Sequence, residues 1–332
     1  MNKPILTIYG ATGVQGRSVL SAFTDIEEPP YQIRALTHDC SSTLAKDLAA
    51  NPYVTVIEIN KNSVDSLLQA FKDTSVIFAN TAFPPETFVR DGASAAQSLE
   101  ERHGLNVALA ASKVPSLQHL IWSTLPDAFS ITDQKIHVPH FQSKQAAESY
   151  IKATGSNLFD KTTFLRVGLY GSNLAMNPYR PFYSEATKKY VIRLPCSADV
   201  RFPFAGDENV NVGLVVKAII ANPKFTLRRY VLGGSETMTC EDWAAALTRA
   251  LRRQGKFVGA VYAQCTLAEY EQVWGQIGTE VGLMFAYFDH LGPRSFEMET
   301  GSEPLLYPKD LGIEEELKST EDRLATINWE EY

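Results

Sequence analysis

Short apolar runs alternate with helical patterns through the first half of the chain. Ile5–Tyr9, Gln32–Leu36, Val54–Ile59, Val76–Ala79, His119–Ser123 and Thr163–Val167 read as strands. Between them, Gln15–Phe23, Thr43–Ala50, Val64–Phe71, a long stretch within Ala93–Ser112, and His140–Lys152 read as helices. Ala108, Ala110 and Ala111 are small, so the long helix is expected to pack closely on a sheet. Strands that alternate with helices predict parallel pairing through crossovers. The fold class expected for residues 1–168 is therefore α/β, a doubly wound parallel sheet of the Rossmann type. After Gly168 the pattern loosens, and Pro178, Pro181, Pro195 and Pro203 punctuate short strands and loops. Helices return at Val212–Ala221, Cys240–Arg252 and Leu267–Leu291. The last carries Tyr270, Val273, Trp274, Ile277, Val281, Phe285 and Phe288 at spacings of three and four. That is one apolar helical face, either core or a dimer or partner surface. Residues 169–332 are thus expected to form a smaller mixed α+β lobe, interleaved with the first. The acidic run Glu314–Glu316 reads as a solvated helix start.

The junction of the first strand and helix is the most specific stretch. Gly10, Gly13 and Gly16 stand between Tyr9 and a helical pattern, in the spacing G-x-x-G-x-x-G. Gly10 turns the chain off the strand, Gly13 lets a pyrophosphate approach the backbone, and Gly16 lets the helix pack on the strand. The N–H groups of the new helix then face the phosphates. Gly10, Thr12, Gly13, Val14, Gln15 and Gly16 are the expected cofactor-binding residues of this loop.

Composition narrows the picture. The length of 332 residues suits one large or two modest domains, and an apolar fraction of 45% suits a full core. The net charge of -7 argues against direct, non-specific contact with nucleic acid or an anionic membrane. No apolar run reaches the roughly 18 residues of a membrane span, and the start lacks a signal-peptide pattern. Cys40, Cys196, Cys240 and Cys265 are far apart in sequence and read as reduced thiols of an intracellular protein. The cytoplasm is the expected location, with the nucleus left open for want of a clear basic cluster. The six histidines show no metal-ligand spacing, so no metal is expected.

Candidate chemistry lies at strand ends. The second strand runs into Thr37, His38 and Asp39, with no acid at its tip to hold a ribose 2′-hydroxyl. That tilts the site towards NADP, whose 2′-phosphate Thr37, His38 and Arg34 can meet; NAD stays open. Strand four ends in Asn80-Thr81-Ala82-Phe83-Pro84 and strand five in Trp122-Ser123-Thr124-Leu125. Thr81, Ala82, Phe83 and Ser123 are expected beside ribose and nicotinamide. After the sixth strand, Tyr170 and Asn173 enter the cleft with Phe83 as expected substrate contacts.

Together these pieces resemble the NmrA-like family of atypical short-chain dehydrogenase/reductases. Gly-Ala-Thr-Gly-x-Gln-Gly is matched at Gly10–Gly16, and Arg-Ala-Leu-Thr at Arg34–Thr37. Ala110–Lys113 leading to His119, the helix with Lys144, Glu148 and Tyr150, and Arg-x-Gly-x-Tyr-x-x-Asn over residues 166–173 extend the likeness. Ser123–Asp127 and Val138-Pro139 look like the fungal branch. The resemblance implies an adenine contact at Asn60, although many members have Gly-Asp where Ile59-Asn60 stands. Short-chain dehydrogenases carry Tyr-x-x-x-Lys on the helix matched here. Lys144 keeps the lysine that orients the nicotinamide ribose, while His140 stands where the tyrosine would be. Glu148, one turn on, is the expected ion-pair partner of Lys144. His140, Lys144 and Tyr170 are the catalytic candidates.

The family implies two functions. One is an NADP(H)-dependent reductase of a small carbonyl or enone, with His140, Tyr170 or water supplying the proton. The other is a redox sensor that binds a dinucleotide and acts as a negative transcriptional regulator through protein contacts. A third, weaker reading is a non-redox isomerase or dehydratase. The partner is accordingly a small-molecule substrate or a protein, and the chain is a monomer or homodimer.

Overall fold

The computed structural model describes residues 3–153, 155, 157–298 and 304–329. β1 (Ile5–Tyr9), α1 (Val14–Thr24), β2 (Gln32–Thr37), α2 (Thr43–Ala49), β3 (Val54–Glu58), α3 (Val64–Ala70) and β4 (Val76–Ala79) form the first half of the sheet. α4 (Pro85–Asp91), α5 (Ala93–Ser112), β5 (His119–Thr124), α6 (Ala128–Ile131), α7 (Pro139–Gln142), α8 (Gln145–Lys152) and β6 (Thr162–Val167) complete the expected alternation. The remainder is β7 (Leu169–Tyr170), β8 (Phe182–Ser184), β9 (Lys189–Leu194), β10 (Phe202–Gly206), α9 (Glu208–Ala221), α10 (Pro223–Thr226), β11 (Tyr230–Gly233) and β12 (Glu236–Met238). It continues through α11 (Cys240–Arg253), β13 (Gly259–Gln264), α12 (Leu267–Trp274), α13 (Gln276–Leu291) and α14 (Thr320–Ala325).

The central sheet has seven strands in the order β3-β2-β1-β4-β5-β6-β11. Every pair in it is parallel. This is the expected doubly wound α/β class, and the chain order reverses between β1 and β4. Successive strand residues point to opposite faces. Phe78, Ile121 and Leu165 therefore pack with Val19, Phe23, Val212 and Val216 of α1 and α9. Ile77, Leu120, Trp122 and Phe164 pack on the other side with Leu67, Val107, Ala111, Ala147 and Ile151. The three alanines of α5 are buried there, as their size predicts.

The C-terminal half adds two three-stranded sheets, β12-β10-β7 and β13-β9-β8. It also returns β11 to the edge of the main sheet and α9 to α1, where the Gly213 N–H donates to Ser18 Oγ at 2.9 Å. Two expected helices are interrupted. The His140–Lys152 segment divides into α7 and α8. There the Ser143 hydroxyl bonds back to the His140 carbonyl at 3.0 Å, and Lys144 N–H takes the i−3 carbonyl of Phe141 at 3.2 Å. The side-chain bond competes with regular helix. The Leu267–Leu291 segment breaks at Gly275, whose φ of 61° is left-handed. Tyr270, Val281, Phe285 and Phe288 are buried core, whereas Val273 is 61% exposed. Glu314–Glu316 forms a short exposed 3₁₀ turn.

Candidate functional site

The glycine turn builds the floor of the site. Gly10 has φ of 81°, a backbone that a Cβ strains. A Cβ on Gly16 would lie 2.2 Å from the Gly10 carbonyl oxygen, so only glycine permits the close crossing of turn and helix. Gly13 is the N-cap of α1 and supplies no side-chain cap. The first-turn N–H groups are those a helix leaves without intrahelical partners, and this helix leaves them uncapped by any side chain.

Above this turn lies a cavity of about 380 Å³ at the carboxyl ends of β1, β4, β5 and β6. Open α/β sheets bind ligands at this switch point. Gly13, Val14, Gln15, Thr81, Ala82, Phe83, Ser123, His140, Lys144, Tyr170 and Asn173 all line it. Gly10, Thr12 and Gly16 form the turn beneath and do not line the cavity. Thr37, His38 and Asn60 sit at the ends of β2 and β3, outside it. Thr37 is buried and bonds the Asp39 carbonyl at 3.2 Å, while His38 and Asn60 are exposed. Asn60 Oδ1 accepts from the Asn62 N–H at 3.0 Å, which closes a local turn.

Two side chains have other partners than the sequence suggested. Arg34 is engaged within the protein. Its Nη1 donates to the Ala70 and Lys72 carbonyls at 2.6 and 2.7 Å, at the carboxyl end of α3. Glu148 is not the partner of Lys144. It faces the sheet and takes Thr124 Oγ1 at 2.6 Å, Lys152 Nζ at 2.8 Å and the Tyr230 hydroxyl. Lys144 turns the other way because the tightened turn at Ser143 ends one helix before Glu148 extends the next.

The partner of Lys144 is Glu100 of α5, which the sequence reading missed. Lys144 Nζ donates to Glu100 Oε1 at 2.6 Å, to the Thr81 carbonyl at 2.6 Å and to Thr81 Oγ1 at 2.8 Å. An ammonium has three donors, so all three are engaged. Glu100 is fully buried and also accepts from Thr81 Oγ1 at 2.7 Å and Ser143 Oγ at 2.5 Å. Burial alone pushes its carboxyl pKa up, but Lys144 and these hydroxyls outweigh burial and hold it below the usual range.

A second chain of bonds crosses the floor. Ser123 Oγ donates to Gln15 Oε1 at 2.8 Å, and Gln15 Nε2 donates to the Tyr170 hydroxyl at 3.0 Å. Burial pushes the Tyr170 pKa up to about 12, the Gln15 bond opposes this, and Glu208 adds to the rise. A third pair joins the two lobes. Both the backbone N–H and Nδ1 of His140 bond Glu280 Oε1 of α13, the former at 3.2 Å. The opposite wall is apolar, with Met284, Phe288 and Phe296. Glu280 was also missed; its signal was an acid directly beside Val281 of the apolar stripe of the aromatic helix.

Sheet order, glycine turn and switch-point cleft define a Rossmann-type doubly wound protein. The chain belongs to the NmrA-like family, whose profile matches residues 1–332. It is 26% identical over 262 residues to the nitrogen metabolite repression protein nmrA of Emericella nidulans, spanning 77% of this chain and 68% of that protein. It is 24% identical over 262 residues to the NmrA-like family domain-containing oxidoreductase hkm9 of Aspergillus hancockii, spanning 76% and 74%. Among solved structures, NmrA, a negative transcriptional regulator in complex with NAD, superposes with a TM-score of 0.73 at 22% identity, over 98% of this chain and 96% of that one. The NADP complex of NmrA matches with the same score, identity and coverage. Among the described residues no helix is long and apolar enough to cross a membrane.

Proposed function

We propose that this chain binds a nicotinamide dinucleotide, NADP(H) with NAD(H) as the alternative, and reduces a small apolar carbonyl or enone. The carrying observation is the composition of the cavity at the switch point. Its floor offers the uncapped start of α1, and its far wall is Met284, Phe288 and Phe296, with His140 and Tyr170 also lining it. The glycine cradle fits the cofactor, since a Cβ at Gly16 would collide with the turn itself. When bound, a reduced nicotinamide supplies a hydride. The residues of this chain bind the pyrophosphate at the α1 start, exclude water with the apolar wall, and hold a proton at His140 or Tyr170. NADPH and NADH affinities, followed by a screen of carbonyls and quinones for oxidation of the reduced cofactor, test this. Tight binding without turnover of any compound would sink the reductase reading.

One observation favours the second reading, a dinucleotide sensor that regulates transcription through protein contacts. His140 replaces the tyrosine of the short-chain dehydrogenase pair, and all three donors of Lys144 are engaged within the protein. A cleft so arranged supports holding a cofactor without consuming it.

A further inference from the structure

We infer that Glu280 holds the His140 imidazole through Nδ1, so that Nε2 is the atom that hands a proton to the carbonyl oxygen of the substrate. The inference rests on the reductase reading and assigns its proton step. Glu280 is 5% exposed, on the buried side of a helix whose neighbours are Val281, Met284 and Phe285. An isolated carboxylate in such surroundings is costly unless hydrogen-bonded. Its ion-pair partner among the described residues is an imidazole, with no lysine or arginine. One carboxylate oxygen takes both the backbone N–H and Nδ1 of the same residue. A carboxylate only accepts, so Nδ1 carries the hydrogen and the tautomer is fixed. The ring is further confined by Phe141, edge-on at 4.8 Å between centroids, and by Phe83 at 6.2 Å.

The other candidates hold their protons more tightly or commit them elsewhere. The Tyr170 hydroxyl already accepts from Gln15, and its pKa of about 12 places it far from neutrality. The Lys144 ammonium is committed to Glu100 and Thr81. His140 lines the cavity from α7, on the same cleft as the apolar wall. The titratable groups around it are Glu280 from α13, Tyr179 from the segment before β8, and the Lys144–Glu100 pair. In the step itself, hydride reaches the carbonyl carbon and the π pair moves to oxygen. That oxygen takes the proton from Nε2 of the imidazolium. The ring is left neutral with Nδ1–H still donated to Glu280, and solvent returns the proton. The alcohol and the oxidised dinucleotide balance the carbonyl, the reduced dinucleotide and one proton.

The test uses the full chain labelled with ¹⁵N-histidine, with His140→Asn to assign the signal. The neutral ring is expected as the Nδ1–H tautomer in the parent protein and as the Nε2–H tautomer in Glu280→Leu. With any substrate found in the screen, Glu280→Leu should lower kcat by about 100-fold and His140→Asn by at least as much. KM and dinucleotide affinity should stay within about threefold, which also shows that the variants fold. An Nε2–H tautomer in the parent, an unchanged tautomer in Glu280→Leu, or an unchanged kcat overturns the inference. If no compound is turned over, the proton role falls with the reductase reading. The tautomer result still decides whether Glu280 holds the ring.

Discussion

Replacing Glu100 by alanine should cost this protein much of its stability. Glu100 is fully buried and Lys144 is 6% exposed, so the substitution strands an ammonium in the interior. Breaking a buried pair from one side costs about 3–5 kcal/mol, because the remaining charge has lost both water and partner. Ser143 Oγ and Thr81 Oγ1 also lose an acceptor, but water entering the vacated space can satisfy both. We therefore expect a loss of about 4 kcal/mol. Unfolding entropy scales at about 2.1 cal/mol/K per residue, so for 332 residues the melting temperature should fall by about 6 °C. Urea unfolding followed by tryptophan fluorescence measures the loss, with the slope checked for constancy. The decisive comparison is a cycle with Lys144→Met. The single variants Glu100→Leu and Lys144→Met should each lose about 3–5 kcal/mol, while the two together should lose far less, since no charge is left unpaired. Single losses that add to the double within about 0.5 kcal/mol would refute the reasoning. The pH dependence has a definite sign. The carboxyl is held below its ordinary value of 4.5, so its contribution is present above that pH and lost as pH falls through the folded-state value. The deficit of Glu100→Ala should therefore shrink on acidification below pH 4.5.

Other perturbations read other parts of the molecule. Gly16→Ala puts a Cβ 2.2 Å from a backbone oxygen and should cost at least about 3 kcal/mol along with dinucleotide affinity; a variant with the parent melting temperature would disprove the close crossing. Lys144→Ala should raise the dissociation constant for NADP(H) about fivefold in a fluorescence titration, and an unchanged value would confine Lys144 to bracing Thr81 and Glu100. Burial holds the His119 pKa down at about 4, and its Nε2–H donates to Thr163 Oγ1, which itself donates to the Thr226 carbonyl. The unfolded chain then binds more protons between about pH 4 and 6.5, so stability should rise with pH across that window by up to about 3 kcal/mol. His119→Gln should flatten that rise, and equal urea midpoint shifts in both proteins would reject it.

The main sheet was legible because each strand of the first half carries a short apolar-rich run and the glycines mark the turn after the first. β1 and β4 match their expected ends, and β2, β3, β5 and β6 each differ by a residue at one end. The edge strand Tyr230–Gly233 was not legible. It is short, lies in the proline-punctuated half, and pairs with β6 across more than sixty residues of chain. Within the site, the residues singled out at the ends of β4, β5 and β6 converge on one cavity, because a parallel sheet brings its carboxyl ends to one edge, whereas Thr37, His38 and Asn60 at the ends of β2 and β3 stay outside it. Partner choice was not legible. Spacing of four pointed Lys144 at Glu148, but periodicity carries no information on Glu100, which reaches it from a helix more than forty residues away.

The two places where helical periodicity failed are the two that build the polar pairs of the cleft. Had residues 140–152 run as one regular helix, Lys144 and Glu148 would have shared a face. Instead Ser143 gives its hydroxyl to both the His140 carbonyl and Glu100, and this ties the break directly to the Lys144 partner. Had residues 267–291 been continuous, Glu280 would have sat beside Val281 on the flank of the apolar stripe, a position that normally looks to solvent. Gly275 restarts the helix, and the Glu280 that follows is buried against His140 of the other lobe. Local sequence rules are expected to fail where a site demands polar groups in the interior. Here both failures converge on the same cavity, and each puts a buried carboxylate against one of two side chains that line it, His140 and Lys144. The alignment of broken helix, buried acid and cleft-lining polar side chain at both positions is what a site requires and packing does not, since apolar residues of equal volume would stabilise either contact at least as well.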